Sequence, residues 1–436
     1  MTATAPFMSL LSNIVDNRGR TCPTADSGLP LIATNCVKNS TLYPVFEKVR
    51  YVDQQTYSTW FRGHPLPGDL IFVCKGSPGQ VCVTPDPVNF CIAQDMVAVR
   101  ANPAKVYPPY LFAALRSEEM QSAIVNMHVG TLIPHFKKGD FDKLEIPLPD
   151  EPTQRFTGDM YLSLTEKIEL NRQTNKTLEG MAQAIFRDWF VDFGPTRRKA
   201  AGEGDPVAIM GGLTPDPARA AELAALFPAA FGDDGLPVGW KAGTLDRLAL
   251  VNPESWKTKH HPAQVEYVDL SNTKWGTIEA TAILTWDAAP SRARRIARTG
   301  DTIVGTVRPG NGSYAYIGRD GYTASTGFAV LRPKQAIYTD AIYVAATAAD
   351  NITRLANLAD GHGGAYPAVN PDVVAATSFP VAPDDLLAAF SAFASPLRAK
   401  VEQAKLENRT LAETRDYLLP RLMSGAVRVA PKVEAA

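Results

Sequence analysis

The chain is 436 residues long, with 44 Lys+Arg against 45 Asp+Glu, a formal net charge of −1, and 45% hydrophobic and 20% charged residues. This composition excludes a disordered chain and a bulk polycation, so any nucleic-acid contact has to come from a local arrangement of cations. At roughly 150 residues per domain the length implies two to four domains. No apolar run approaches the roughly 18 residues of a membrane span, and residues 1–11 lack the pattern of a secretory signal.

Residues 1–150 read as a first mixed α/β domain. Asp69-Leu-Ile-Phe-Val-Cys74 and Val81-Cys-Val83 are strand-like, and 109–125 is helix-like. All five cysteines, Cys22, Cys36, Cys74, Cys82 and Cys91, fall here. Their number is odd and none is spaced C-x-x-C, so buried thiols in a reducing cytoplasm are expected rather than a disulfide framework or a zinc site.

Residues 151–194 read as a first long helix. Leu164, Ile168, Asn171, Asn175, Leu178, Ala182, Ile185 and Trp189 alternate steps of four and three, which is a heptad seam. Residues 384–425 read as a second, with Leu397, Val401, Ala404, Asn408, Leu411, Arg415, Leu418 and Leu422 on its seam. Each helix is expected to run about 28 residues, roughly 40 Å. A helix with one apolar stripe needs a partner, so the two are expected to pair antiparallel. Asn175 and Asn408 take the same seam position, where a polar residue sets register. A seam drawn on the wrong face would instead leave both in solvent.

The first helix ends in Phe186-Arg-Asp-Trp-Phe-Val-Asp-Phe193. Phe186, Trp189, Phe190 and Phe193 form either a docking patch for another protein or part of the chain's own core. Leu422 is the docking candidate on the second helix. Residues 195–235, rich in Ala, Gly, Pro and charge, read as a linker with one short helix between 217 and 231. Residues 236–383 read as a second mixed domain, with strand-like Thr302-Ile-Val304, Tyr314-Ala-Tyr-Ile317 and Phe328-Ala-Val-Leu331. Residues 426–436 are a tail.

The order domain, helix, linker, domain, helix is an internal duplication. Asn175-Lys-Thr-Leu178 recurs as Asn408-Arg-Thr-Leu411, a shift of 408 − 175 = 233. The same shift relates Gly130 to Gly363, Pro134 to Pro367, Pro147 to Pro380, Lys167 to Lys400 and Glu169 to Glu402. Gly68-Asp69 matches Gly300-Asp301 at 232, and Lys38 matches Lys274 at 236. A period this long is a duplicated domain and not a solenoid, whose repeats run about 20–50 residues. Two such halves are expected to relate by a pseudo-two-fold axis.

The densest cation cluster is Ser291-Arg-Ala-Arg-Arg-Ile-Ala-Arg298, with Arg292, Arg294 and Arg295, followed by Arg308-Pro-Gly-Asn-Gly312. An arginine fork matches phosphate or a guanine edge, while a solvated helix face explains the run equally well. Lys75 lies in the loop equivalent to that of Arg308, and the two glycines beside Arg308 let backbone approach a partner. The DNA-contact candidates are therefore Lys38, Arg62 and Lys75 in the first half and Lys274, Arg292, Arg294, Arg295, Arg308 and Asn311 in the second. Catalytic motifs are missing. There is no phosphate-binding G-x-x-x-x-G-K-[ST], the Tyr107-Pro-Pro-Tyr110 run begins with the wrong residue for an amino-methyltransferase loop, and His64, His128, His135 and His362 give no H-x-x-x-H metal pair. No metal or cofactor is expected on this chain.

These residues resemble the specificity subunit of Type I restriction–modification systems. Leu144-Glu-Ile-Pro-Leu-Pro149, Thr165-Glu-Lys-Ile-Glu-Leu-Asn-Arg172, Asn175-Lys-Thr-Leu-Glu179 and the run 186–194 look like that family's central conserved region. Leu236-Pro-Val-Gly-Trp240 looks like the entry to its second target-recognition domain, and Leu418-Leu-Pro-Arg-Leu-Met-Ser-Gly425 like its C-terminal ending. The resemblance implies an α+β fold in which two target-recognition domains are separated by two long antiparallel coiled-coil helices. Each domain would read half of a bipartite site in double-stranded DNA, and the helices would set the spacing. The implied partners are two modification subunits, which carry the methyltransferase and S-adenosylmethionine, and the motor–nuclease restriction subunits. The chain itself would be non-catalytic and cytoplasmic. Arg415 on the seam and Pro420 near its end depart from the first copy and suggest an early end or a different docking of the second helix. A non-catalytic scaffold or inhibitor without DNA reading is the alternative.

Overall fold

The computed structural model describes residues 3–427 except 18, 20, 48, 93, 128–133 and 362–366. The Gly130–Gly363 match, His128, His362 and most of the tail lie outside the described residues. Contacts divide the chain into two units, Met1–Gln173 with Leu406–Ala436, and Thr174–Lys405. Each long helix contributes to both, so the first unit is built from two separate stretches of chain and the second from the single stretch between them.

In the first unit a four-stranded antiparallel sheet runs in the order Leu11–Val15, Met96–Ala101, Leu70–Val73, Val81–Val83. Its Leu70–Val73 strand is buried throughout, which is why it reads as an unbroken apolar run. A second sheet orders Arg50–Val52, Leu29–Ile32 and Cys91–Ile92, the last two parallel. Pro108–Arg116 and Glu118–Met127 are the predicted helix, broken at Ser117, whose Oγ accepts from the Met120 N–H at 3.3 Å and caps the second piece. The core is built around Phe7, Phe72, Phe136 and Phe141, and Tyr161, Leu419 and Met423 enter it from the two long helices. All five cysteines are buried free thiols, and burial pushes those of Cys82 and Cys91 up to about 12.

The second unit repeats this plan. Ala249–Val251, Phe328–Pro333, Thr302–Gly305 and Tyr314–Tyr316 form the antiparallel sheet. Ala282–Thr285, Gln264–Val268, Tyr322–Ser325 and Ala293–Ala297 form the other, again with one parallel pair, 264–268 beside 322–325. Thr339–Thr347 and Ala349–Gly361 are its helix pair. The duplication extends to individual side chains. The Asp69 carboxylate, 2% exposed, accepts two bonds from Arg100, at 2.8 and 3.0 Å, and one from the Leu66 N–H. Asp301, 0% exposed, accepts two from Arg332, both at 2.9 Å, and one from the Arg298 N–H. All three positions shift by 232, since 301 − 69 = 332 − 100 = 298 − 66. Each clamp ties the turn entering the central strand to the neighbouring strand.

The helices are longer than their seams suggest. The first spans Glu151–Phe186, 36 residues, and passes into a π turn, Arg187–Val191; the second spans Asp384–Met423, 40 residues. Every seam position in both copies is buried or half-buried, so the seam lies on the right face. Within the first unit Tyr161 meets Arg415 and Asn171 meets Asn408, and within the second Glu179 meets Lys405 and Phe186 meets Phe390; the helices are antiparallel in each. Pro420 does not end the second helix, which continues through Met423. No helix of the described residues is long and apolar enough to cross a membrane.

Two expectations are corrected. Residues 195–235 are not a loose linker. They fold into Gly194–Ala200, Pro206–Ile209 and Pro217–Ala225, and Ile209, Met210, Leu223 and Phe227 join the core of the second unit. Arg198 holds Asp188 with two bonds, and Lys199 Nζ donates to the carbonyls of Ala224 and Phe227 at the end of the last helix. The register asparagines also pair differently. Asn171 Nδ2 donates to Asn408 Oδ1 at 2.9 Å and to Glu407 at 2.7 Å, while Asn175 Oδ1 is buried with no hydrogen-bond partner among the described residues. The residue equivalent to Asn171 in the second copy is Ala404, which has no donor for Asn175. Asn175→Leu is therefore expected to leave the melting temperature unchanged or raise it. Asn408→Leu removes one of the two acceptors of the Asn171 amide, leaving Glu407, and is expected to cost about 1 kcal/mol; thermal unfolding of the two single variants checks the contrast.

Candidate nucleic-acid interface

In the second unit both sheets present their loops at one end. Ser313 Oγ donates to the Leu270 carbonyl at 3.0 Å, the Thr306 N–H to Gly327 at 2.8 Å, and the Thr326 N–H to Arg292 at 2.8 Å. These bonds join the loops after 264–268, 302–305 and 322–325 to the start of Ala293–Ala297. The small hairpin Thr273–Lys274 with Thr277–Ile278 turns through Trp275 and Gly276, at φ of 44° and 83°. The Trp275 N–H donates to the Gly312 carbonyl at 2.7 Å, and a Cβ on Gly312 would stand 2.6 Å from the indole. Only glycine fits there. Lys274 is thereby carried beside the loop of Arg308 and Asn311, and Arg292 shares the same end.

Arg308 is exposed and held at φ 47°, a left-handed conformation that costs an L residue about 1–2 kcal/mol. Its N–H donates to the Pro367 carbonyl at 2.8 Å. In the first unit the Gly76 N–H, at φ 89°, donates to Pro134 at 2.9 Å. The bridges Lys75–His135 and Val307–Ala368 match as well. The loops are equivalent, as expected, but the structural counterpart of Arg308 is Gly76 and that of Lys75 is Val307. Consecutive residues point different ways, so the two cations are not interchangeable.

The basic run is engaged largely by the chain's own side chains. It lies on the strand Ala293–Ala297, with a bulge between Ala293 and Arg295, and not on a helix. Arg292 is held by Asp269 at 2.7 Å and by the Tyr267 hydroxyl at 2.8 Å. Arg294 sits 4.3 Å over the Trp286 ring, which stacks on His261. Arg295 is half-buried and bonded to Ser255 at 3.3 Å, and desolvation lowers its pKa. At the opposite end of the sheets, Arg298 and Arg332 share Glu254, and Arg319 pairs with Glu266. Hydrogen bonds from Arg298, opposed by burial and reinforced by Arg332, bring Glu254 down to about 2. Much of the arginine charge is thus neutralised away from the loop end.

The first unit gathers Lys38, Arg62 and Lys75 at its corresponding end. Lys75 is exposed in the turn after Leu70–Val73. Arg62 reaches the Asp16 carbonyl at 3.2 Å, and the adjacent Asn17 amide joins the carbonyls of Gly63 and Ile92. Lys38 follows the strand Leu29–Ile32 and is paired with Glu47 at 2.8 Å.

Residues 28–180 match the Type I restriction modification DNA specificity domain. The Type I restriction enzyme HindI specificity subunit of Haemophilus influenzae is 25% identical over 402 residues, covering 83% of this chain and 86% of that one. The MjaIX specificity subunit of Methanocaldococcus jannaschii is 26% identical over 132 residues, 30% of each chain. The chain thus carries a match to that specificity domain over residues 28–180 and is similar to a Type I specificity subunit over most of its length. The solved S subunit of a Type I restriction–modification system from M. genitalium shares its fold, with a TM-score of 0.50 at 15% identity, over 96% of this chain and 95% of that one.

For a specificity subunit, the aromatics after the first helix were the docking candidates. The structure buries them instead. Phe186, Trp189 and Phe190 are core residues, and Phe193 packs against that core. Trp189 meets Phe227 edge-on at 5.2 Å, and Phe190 meets Phe390 at 5.5 Å and Trp240 at 5.8 Å. The folded segment 195–235 supplies part of the cover. Leu422 is likewise buried. Sequence reasoning also missed Trp275, 55% exposed beside the Arg308 loop; an aromatic before a glycine in a short turn was the available signal. Phe190→Ala is expected to lose about 3–5 kcal/mol of stability, so the variant should melt early or fail to accumulate, rather than stay folded and merely lose co-purification with a modification subunit.

Proposed function

We propose that this chain is the sequence-reading subunit of a Type I restriction–modification complex, with each unit reading one half of a bipartite site in double-stranded DNA. The observation that carries this is the duplication of one loop end, with the 75–76 turn and the 307–308 turn built on matching backbone bonds but presenting different cations. Equivalent scaffolds with unlike side chains suit two readers of unlike sequences. Arg308, Asn311, Lys274 and Trp275 are the candidate contacts in the second unit, and Lys75, Arg62 and Lys38 in the first. Arg292 positions the loops through Asp269 instead of reading bases. A residue held in a strained conformation at a loop tip is suited to direct readout, and an arginine fork to guanine.

In this reading the two long helices set the spacing between half-sites. The catalytic work belongs to two modification subunits, which hold S-adenosylmethionine, and to the motor–nuclease subunits, all in the cytoplasm. Those partners supply part of the phosphate contact, consistent with a net charge of −1.

Methylome sequencing of the host with and without this gene tests the proposal. One bipartite motif should lose modification on deletion; an unchanged methylome in a host whose modification subunits are expressed contradicts it. In the assembled complex, Arg308→Ala should cost about 1–3 kcal/mol at one base pair of one half-site. An equal loss on random DNA, with a shallower salt dependence, would make Arg308 a phosphate contact.

A further inference from the structure

The first unit holds a cavity of about 360 Å³ lined by Asn39, Ser40, Arg116, Ser117, Tyr161 and Arg415, among others. That is the lower end of the volume range of small-molecule sites. Two of its arginines are almost fully enclosed, Arg116 and Arg415 each being 8% exposed. Arg116 is fixed by the carbonyls of Val81, Lys38 and Thr41 and lies 4.3 Å over the Phe112 ring. Among the described residues no hydrogen bond of standard geometry reaches its Nη1, although the Tyr161 side chain interacts with the guanidinium, and no carboxylate pairs with it. Among the described residues Arg415 is paired only through Nε, to Asp416, and its guanidinium lies over Tyr161 at 5.3 Å. Burial disfavours the charge on Arg116, the Tyr161 hydroxyl offsets part of that, and nearby Arg415 adds to the cost. A further cation, Arg172, bonds the Ser40 carbonyl at 2.8 Å. The carboxylates of Glu118 and Asp416 stand on exposed residues at the rim.

The second unit shows what the architecture alone requires at this place. The duplication carries Arg415 to Ala182 (415 − 182 = 233), Tyr161 to Ala394 (394 − 161 = 233) and Arg116 to Thr347 (347 − 116 = 231). There the equivalent site is a cavity of only about 30 Å³, and its half-buried arginine, Arg398, is paired with a buried carboxylate, Asp340. Packing is complete without the arginine pair. In the first unit the chain has opened the site and placed two cations in it, with carboxylates only on exposed residues at the rim and only one of these, Asp416, paired with either arginine. Buried charges are stable when paired, and the guanidinium fork matches tetrahedral oxyanions.

We propose that this cavity binds a small phosphate-class oxyanion, either free or carried on a mononucleotide, which bridges Arg116 and Arg415 and locks the end of the second long helix onto the first recognition domain. The site adjoins the loop of Lys38 through Asn39 and Ser40, but its lining includes none of the residues assigned to DNA and it does not rest on that assignment.

Thermal unfolding of the full-length protein, with sodium phosphate or AMP against sodium chloride at equal ionic strength, tests it. Phosphate should raise the midpoint by about 2 °C or more and saturate, whereas the general salting effect of phosphate rises without saturating. A stronger effect of AMP than of phosphate marks a nucleotide as the source, and the reverse marks the free ion. Arg415→Ala, which copies the second unit's Ala182, should abolish the saturable rise. Asp416→Asn, which removes an exposed carboxylate and leaves the packing intact, should bring saturation at several-fold lower phosphate. No saturable rise in the wild-type chain, or one unchanged in both variants, would overturn the proposal.

Discussion

The structure depends on the burial of one apolar stripe along each of two helices of 36 and 40 residues. No single small domain covers helices of that length, and most helical stability comes from packing and not from propensity. The chain meets the constraint by giving each unit part of both helices. Tyr161, Leu419 and Met423 close the core of the first, and Ala182, Phe186, Trp189, Leu387 and Phe390 that of the second. Each recognition domain is therefore completed by residues distant in sequence. This is why segment 195–235 folds tightly: it covers the aromatic end of the first helix where the domain sheet does not reach.

Local pattern revealed what local forces decide. The central strands 70–73 and 302–305, the helix at 109–125 and both heptad seams were legible because apolar periodicity is set by which face is buried. The duplication was legible through Gly68-Asp69 and Gly300-Asp301, although the reason for it was not. That pair is half of a buried clamp whose other half, Arg100 or Arg332, lies 31 residues further on. Composition misled at 195–235, where Ala- and Gly-rich helices resemble a linker until Leu223 and Phe227 are seen packed. A bare seam alignment also misjudged the asparagines, since antiparallel helices bring Asn408 to Asn171 and not to Asn175.

The candidate interface was harder to read, because charge in a sequence does not say what it faces. Arg292, Arg295 and Arg298 form the densest basic run, yet Asp269, Ser255 and Glu254 engage them. Arg308 stands out through its backbone, which adopts a conformation that the other half gives to glycine. The residues suited to reading are those the loops hold outward, while most arginines maintain the sheets that hold the loops. This division of labour explains how a chain with no net basic charge can resemble DNA specificity subunits.

The central claim is that the two halves read independently. Replacing residues 236–378 with the equivalent segment of a relative, and sequencing the methylated sites in the host, tests it most directly. The account predicts that one half-site changes while the other half-site and the spacer length persist. A change in both half-sites, or in the spacer, would contradict it.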